Sequence, residues 1–164
     1  MRVDSIMTSD VVSCPSGATV LEAADVMRAF DRGAIPVVDA DRHLVGIVTD
    51  RDLVVRLAAA DGPRWDAPVS ACMTPDPSRC RPGDSVHEAL ATMRRTRAGR
   101  LPVVDDHGRL VGMLSINDVV LGAQNVRAGQ DRVSYEQVME TLSLLCAAHG
   151  TGRSTAATRD GSAG

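Results

Sequence analysis

The sequence contains no lysine. All eighteen basic residues are arginine, and against 21 acids they leave a formal charge of −3 and a pI near 5.7. That balance gives no general attraction toward a phosphate backbone, so DNA is not an expected partner. Aromatics are nearly as scarce, with Phe30, Trp65 and Tyr135 as the whole set. Three scattered rings do not make the stacking faces that single-stranded nucleic acid requires, and the core must be built from Val, Leu, Ala, Ile and Met. No apolar run approaches the roughly 18 residues of a membrane span. The start, Met1-Arg2-Val3-Asp4, lacks the charged region and long apolar stretch of a secretory signal. There is no CxxC pair, so Cys14, Cys72, Cys80 and Cys146 read as small core residues. His43, His87, His107 and His149 have no ligand-like spacing, and no metal is expected. The expectation is a soluble cytoplasmic protein, and the arginine, Ala, Asp, Gly and Val usage suggests a GC-rich bacterial genome.

What the sequence does have is a repeat. Residues 7–55 and 73–121 superpose without a gap at a constant offset of 66. Met7-Thr8 returns as Met73-Thr74, Pro36-Val37-Val38-Asp39 as Pro102-Val103-Val104-Asp105, and Leu44-Val45-Gly46 as Leu110-Val111-Gly112. A single copy would bury too little surface to be more than marginally stable, so the two should share a core.

Each copy reads as strand, helix, strand, strand, helix, which makes an α/β (α+β) fold. An extended piece at Val11-Val12-Ser13 precedes a capping box, Thr19-Val20-Leu21-Glu22, repeated as Ser85-Val86-His87-Glu88. Behind these caps Val20, Ala23, Ala24 and Met27, and then Val86, Ala89, Leu90 and Met93, fall on one helical face. Gly33 and Gly99 are expected to stop the helices. Valine-rich runs from Ile35 and Leu101 then pair as hairpins with His43–Thr49 and Arg109–Ser115. Second helices are expected over about 50–60 and 116–124. The predicted organisation is a first repeat over 1–60, a linker over 61–68 pinned to the core by Trp65, and a second repeat over 69–125. A helical extension over 126–149, capped by Ser134-Tyr135-Glu136-Gln137, and a disordered tail over 150–164 complete it.

Each copy closes on a hydroxyl and a carboxylate three residues apart, Thr49 with Asp52 and Ser115 with Asp118, where a strand runs into a helix. The pair is itself a capping pattern, although Asp reaches the N-cap amide less easily than Glu. The same geometry also suits a ligand. Unpaired N–H groups and the helix dipole attract phosphate, and a carboxylate accepts hydrogen bonds from the vicinal hydroxyls of a ribose.

The ordered set of Met-Thr, Pro-Val-Val-Asp, Leu-Val-Gly and Gly-x-x-Thr/Ser-x-x-Asp, present twice over residues 3–122, resembles tandem cystathionine-β-synthase-type (CBS) domains, the Bateman module. The resemblance implies two β-α-β-β-α units related by a pseudo-twofold, with two clefts that hold adenine nucleotides. It implies ribose binding by Asp52 and Asp118 and phosphate binding by Thr49, Ser115, Arg51 and Arg100. It places adenine against Val12, Ile35 and Pro36 in one cleft and against Ser78, Leu101 and Pro102 in the other. The Asp52 cleft is expected to be the better formed, because Pro77-Ser78 replaces Val11-Val12 and Asn117 replaces Arg51 in the second copy. The implied ligand is AMP, ADP or ATP, or else NAD(H) or S-adenosylmethionine. A homodimer through the helical faces and an unidentified protein partner are implied as well, with no membrane.

The leading reading is a regulatory module acting in trans. A structural dimerisation module with degenerate clefts is the alternative. An enzyme is disfavoured, because the sequence shows no Ser-His-Asp set, paired catalytic acids or metal-ligand cluster.

Overall fold

In the computed structural model, residues 1–58, 64–125 and 133–150 are described. The first copy contains β1 (Cys14–Pro15), α1 (Val20–Phe30), β2 (Ala34–Val38), β3 (Leu44–Thr49) and α2 (Asp50–Ala58). The second contains β4 (Thr74–Pro75), α3 (Val86–Thr96), β5 (Arg100–Val104), β6 (Leu110–Ser115) and α4 (Ile116–Asn125), and α5 (Tyr135–Gly150) follows.

Both capping boxes form. The Glu22 amide donates to Thr19 Oγ1 at 3.2 Å while the Thr19 amide donates to Glu22 Oε2 at 2.7 Å. The reciprocal amide of Ser85 reaches Glu88 Oε2 at 3.2 Å. The stripes behind them are buried as expected, except that Ala24 is only partly covered. The ends of α1 and α3 differ from expectation. The left-handed residue is Asp31 (φ 50°) or Arg97 (φ 54°), with the glycine two positions later. The carbonyls of Gly33 and Gly99 accept from the amides of Asp50 and Ile116 at 3.1 and 3.0 Å, joining each turn to the start of the next helix. A Cβ on Gly33 would lie 3.2 Å from Asp50 Oδ2.

The first sheet runs β1-β2-β3-β4, with β1 parallel to β2 and the other pairs antiparallel. The first strand lies at Cys14–Pro15 rather than at Val11–Ser13, because Cys14 is the residue whose side chain enters the core. In the second copy β5 and β6 form the hairpin, flanked by a parallel bridge at Cys80 and an antiparallel bridge at Thr8. The equivalent segments are therefore exchanged. Met7-Thr8 lies against β6 of the second copy, and Met73-Thr74 lies against β3 of the first. Leu-Val-Gly explains the fit, since a Cβ on Gly112 would meet Met7 Sδ at 2.7 Å and the Thr8 carbonyl at 3.2 Å.

The cores follow the same exchange. Val3 is wholly buried in the second core, and Val69 with Cys72 in the first. Each valine contributes about 1.5–3 kcal/mol by burial. Between the copies, Val38, Leu44, Val104 and Leu110 form a small shared core. Leu44 donates its amide to the Gly108 carbonyl at 3.1 Å and Leu110 donates to Arg42 at 2.9 Å, stitching the hairpin ends together.

The box at Ser134 starts α5, with Gln137 N donating to Ser134 Oγ at 3.2 Å. Val133 and Val138 join the second core, Leu145 is buried, and Arg94 reaches Glu140 and Thr141, both at 3.4 Å. The extension thus packs on its own module, against α3 and α4. Trp65 does not pin the linker through its ring, which is 47% exposed; its carbonyl instead accepts from the Leu21 amide at 3.1 Å. Gly150, expected to open the tail, ends α5, and the rest of the tail (151–164), residues 61–63 of the linker, 59–60 of the expected second helix and 126–132 of the extension lie outside the described residues.

Candidate functional site

Strand β3 delivers Thr49 to the start of α2, and β6 delivers Ser115 to the start of α4. In both places the aspartate closes the box despite its short arm. Thr49 donates its amide and its hydroxyl to Asp52 Oδ2 at 3.0 and 2.8 Å, and Thr49 Oγ1 accepts from the Asp52 amide at 3.1 Å. Ser115 donates to Asp118 Oδ2 at 2.7 and 2.6 Å and accepts from the Asp118 amide at 3.2 Å. One carboxylate oxygen, Oδ2, makes the whole box in each case. Oδ1 stays outside it, and both aspartates are half-buried, so the group is held in place with an acceptor still to offer.

Around Ser115 and Asp118 the chain encloses a cavity of about 270 Å³. Its walls come from both copies. Val11, Val12, Ala34 and Pro36 of the first copy form one side, and Met113, Arg100 and Asn117 of the second complete the other. Thr8, Asp10, Asp31 and Arg32 stand at the same cavity. The structure therefore corrects the pairing drawn from the sequence. Val12 and Pro36 face Ser115 and Asp118, not Thr49 and Asp52. The reason lies in the exchange of segments, which brings the chain from Thr8 to Val12 across β6. The expected preference for the Asp52 cleft rested in part on Val11-Val12, and those residues serve the Asp118 cavity. Ile35 (1% exposed) and Leu101 (fully buried) are core residues, so neither side chain forms a pocket wall. Arg51 is exposed at the first turn of α2.

Asp10, Asp31 and Arg32 were not legible as site residues. The one signal for them was positional, since Asp10 recurs as Asp76 while Asp31 is replaced by Arg97. With a capped carboxylate, a helix start, an apolar wall and two arginines, the cavity suits a small polyhydroxylated ligand with an anionic or polar end.

The model of the CBS domain matches residues 3–59 and 69–123, one match for each copy. The chain belongs to the CBS-domain family. The CBS pair is 39% identical over 130 residues to the uncharacterized protein YlbB of Bacillus subtilis, covering 78% of this chain and 86% of that one. It is 33% identical over 131 residues to inosine-5′-monophosphate dehydrogenase of Methanocaldococcus jannaschii, covering 80% of this chain but only 25% of the enzyme. Among solved structures, CBSX2 in complex with AMP superposes with a TM-score of 0.67 at 29% identity, covering 75% of this chain and 96% of that one. The CBS pair of protein MJ0100, in complex with 5′-methylthioadenosine and S-adenosyl-L-methionine, superposes at 0.66 with 25% identity, covering 74% and 98%. Two β-α-β-β-α repeats plus a C-terminal helix describe the architecture. No described helix is long and apolar enough to cross a membrane.

Proposed function

We propose that this CBS pair is a non-catalytic sensor that binds an adenosyl ligand and acts in trans on a protein partner. The observation that carries the reading is the cavity at Asp118, where a capped carboxylate, an apolar wall and Arg100 converge from two copies of the repeat. In this reading the ribose hydroxyls donate to Asp118 Oδ1, Ser115 and the start of α4 hold the 5′ end, and Arg100 stands ready for a polar or anionic group there. Val12 and Pro36 flank the adenine. Thr49, Asp52 and Arg51 form the equivalent second cleft with Ser78 and Pro102. AMP, bound by CBSX2, and the adenosyl compounds bound by MJ0100 support this ligand class. Occupancy matters to a partner only if the ligand binds one arrangement of the molecule more tightly than another.

A second reading, a structural dimerisation module, is favoured by one fact: both hydroxyl and carboxylate pairs are closed on themselves as caps. Isothermal calorimetry of AMP, ADP, ATP, NADH and S-adenosylmethionine against wild type, Asp52→Ala, Asp118→Ala and the double variant separates the two. The sensor requires binding that Asp118→Ala weakens by at least tenfold. Absence of binding by wild type to every compound selects the structural module.

A further inference from the structure

The Asp118 cavity has a neighbour at the first turn of α4, lined in part by the same residues. A second cavity, of about 500 Å³, shares Arg100, Ser115 and Asn117 with the lining of the first. Its remaining walls are Gly99, Ile116, Leu142, Leu145 and Cys146, so it runs from the start of α4 along α5. Two features make this groove particular to the second copy. It needs α5, which follows only that copy, and it needs Ile116, where the first copy has Asp50. α5 is tied to its module beside the groove: Leu145 Cδ1 lies 3.7 Å from the place a Cβ on Gly99 would occupy, and Arg94 joins α3 to α5 through Glu140.

The shared residues are those assigned above to the 5′ end of the ligand, and the inference rests on that reading. A substituent leaving the 5′ carbon of a ribose held by Asp118 would start beside Ser115 and Arg100, which line the groove as well. What it meets there is mainly apolar. The first cavity is small, just under the about 300–1,000 Å³ usual for ligand sites, and carries three carboxylates (Asp10, Asp31, Asp118) against two arginines. A long polyphosphate would find repulsion in the cavity and hydrocarbon beyond it. We propose that the physiological ligand of the Asp118 cleft is a 5′-substituted adenosine with an apolar chain, the chain lying along α5 against Ile116, Leu142 and Leu145.

The test is a chain-length series on the full chain, with AMP and 5′-alkylthioadenosines carrying one, four and eight carbons, by calorimetry. Affinity should rise about fourfold per added methylene until the groove is filled. Cys146, the exposed thiol of the groove, should be protected from a thiol reagent by the octyl compound and not by AMP. Cys146→Asp, a change at an exposed position, should abolish the gain with chain length and leave AMP affinity unchanged. A flat response to chain length, with AMP still bound, overturns the groove assignment alone. Failure of AMP and every analogue to bind overturns the reading of the cleft itself. Protection of Cys146 that grows with protein concentration in the absence of ligand gives the groove to a second copy of the chain and also overturns the proposal.

Discussion

Replacing Gly112 by alanine tests the exchange of segments directly. The new Cβ would lie 2.7 Å from Met7 Sδ, 3.2 Å from the Thr8 carbonyl and 3.3 Å from Val103 Cβ. The thioether is flexible and can swing away, but the other two atoms belong to backbone and to a wholly buried valine. The strand from Met7 to Thr8 must therefore lift from β6, straining the pair of hydrogen bonds that join Thr8 and Met113 at 2.9 Å each. Overpacking of this kind costs about 1–3 kcal/mol, which lowers the melting temperature by about 2–12 °C for a protein of this size. Equilibrium urea unfolding of wild type, Gly112→Ala, Met7→Ala and the double variant gives a full cycle. Because Met7 Sδ is the nearest obstacle, the double variant should be more stable than the two single costs predict, with a coupling of about 0.5–1 kcal/mol. If Gly112→Ala stays within about 0.5 kcal/mol of wild type, or the cycle shows no coupling, the close crossing of Met7-Thr8 over β6 is wrong. Gly46→Ala should behave alike, with Met73 as its partner and the Thr74 carbonyl at 3.1 Å.

Ser115→Ala removes the cap of α4 and should cost about 0.5–2 kcal/mol in urea unfolding, with an equal cost for Thr49→Ala; a neutral result at either site would contradict the box. Near pH 8 a thiol-specific chromophore should modify one of the four cysteines quickly, namely Cys146. Cys72 is buried, and desolvation pushes Cys14 up to about 11 and Cys80 up to about 12; a second fast thiol would refute the packing. The backbone amides of His43 and Arg109 hold Asp39 and Asp105 below the usual carboxylate value of 3.8. A depressed folded value means stability that is present above about pH 3.8 and lost as pH falls through the lower folded pKa. Asp39→Asn with Asp105→Asn should therefore flatten the fall in stability at acid pH, and an unchanged slope would rule this out. Finally, Val55 on α2 and Leu121 on α4 are 54% and 59% exposed at equivalent positions. Light scattering should show a dimer that Val55→Glu with Leu121→Glu reduces to monomer, and a monomeric wild type at micromolar concentration would refute it.

Much of the fold was legible because local signals agreed with one another. The capping boxes at Thr19 and Ser85 and the apolar spacing behind them specify α1 and α3 without tertiary help. The hairpins followed from valine-rich runs on either side of Asp39 and Asp105, whose side chains turn out to bond the turn amides. The crossing of Met7-Thr8 and Met73-Thr74 was not legible, because a repeat has the same spacing whether each segment completes its own sheet or its neighbour's. That one ambiguity propagated to the site. Thr49, Asp52, Ser115 and Asp118 were found from their own spacing, whereas the partners of each pair depend on the crossing, and Val12 and Pro36 went to the wrong aspartate. The helix ends show a smaller failure of the same kind. Glycine is the usual left-handed residue, yet Asp31 and Arg97 take that role, two positions before Gly33 and Gly99.

The exchanged segments also give the molecule a direction in time. During synthesis Met73-Thr74 emerges after β3 has been made and finds its place waiting. Met7-Thr8 emerges before its own place exists, and β6 is translated only some hundred residues later. At about 5–20 residues per second that is a wait of roughly 5–20 seconds. Throughout it Val3, Ile6 and Met7 lack the core that will bury them. The nascent first copy can close once Val69 to Thr74 have emerged, while residues 3–8 still wait for their place, and a ribosome-bound chain stopped before β6 should leave them open to protease.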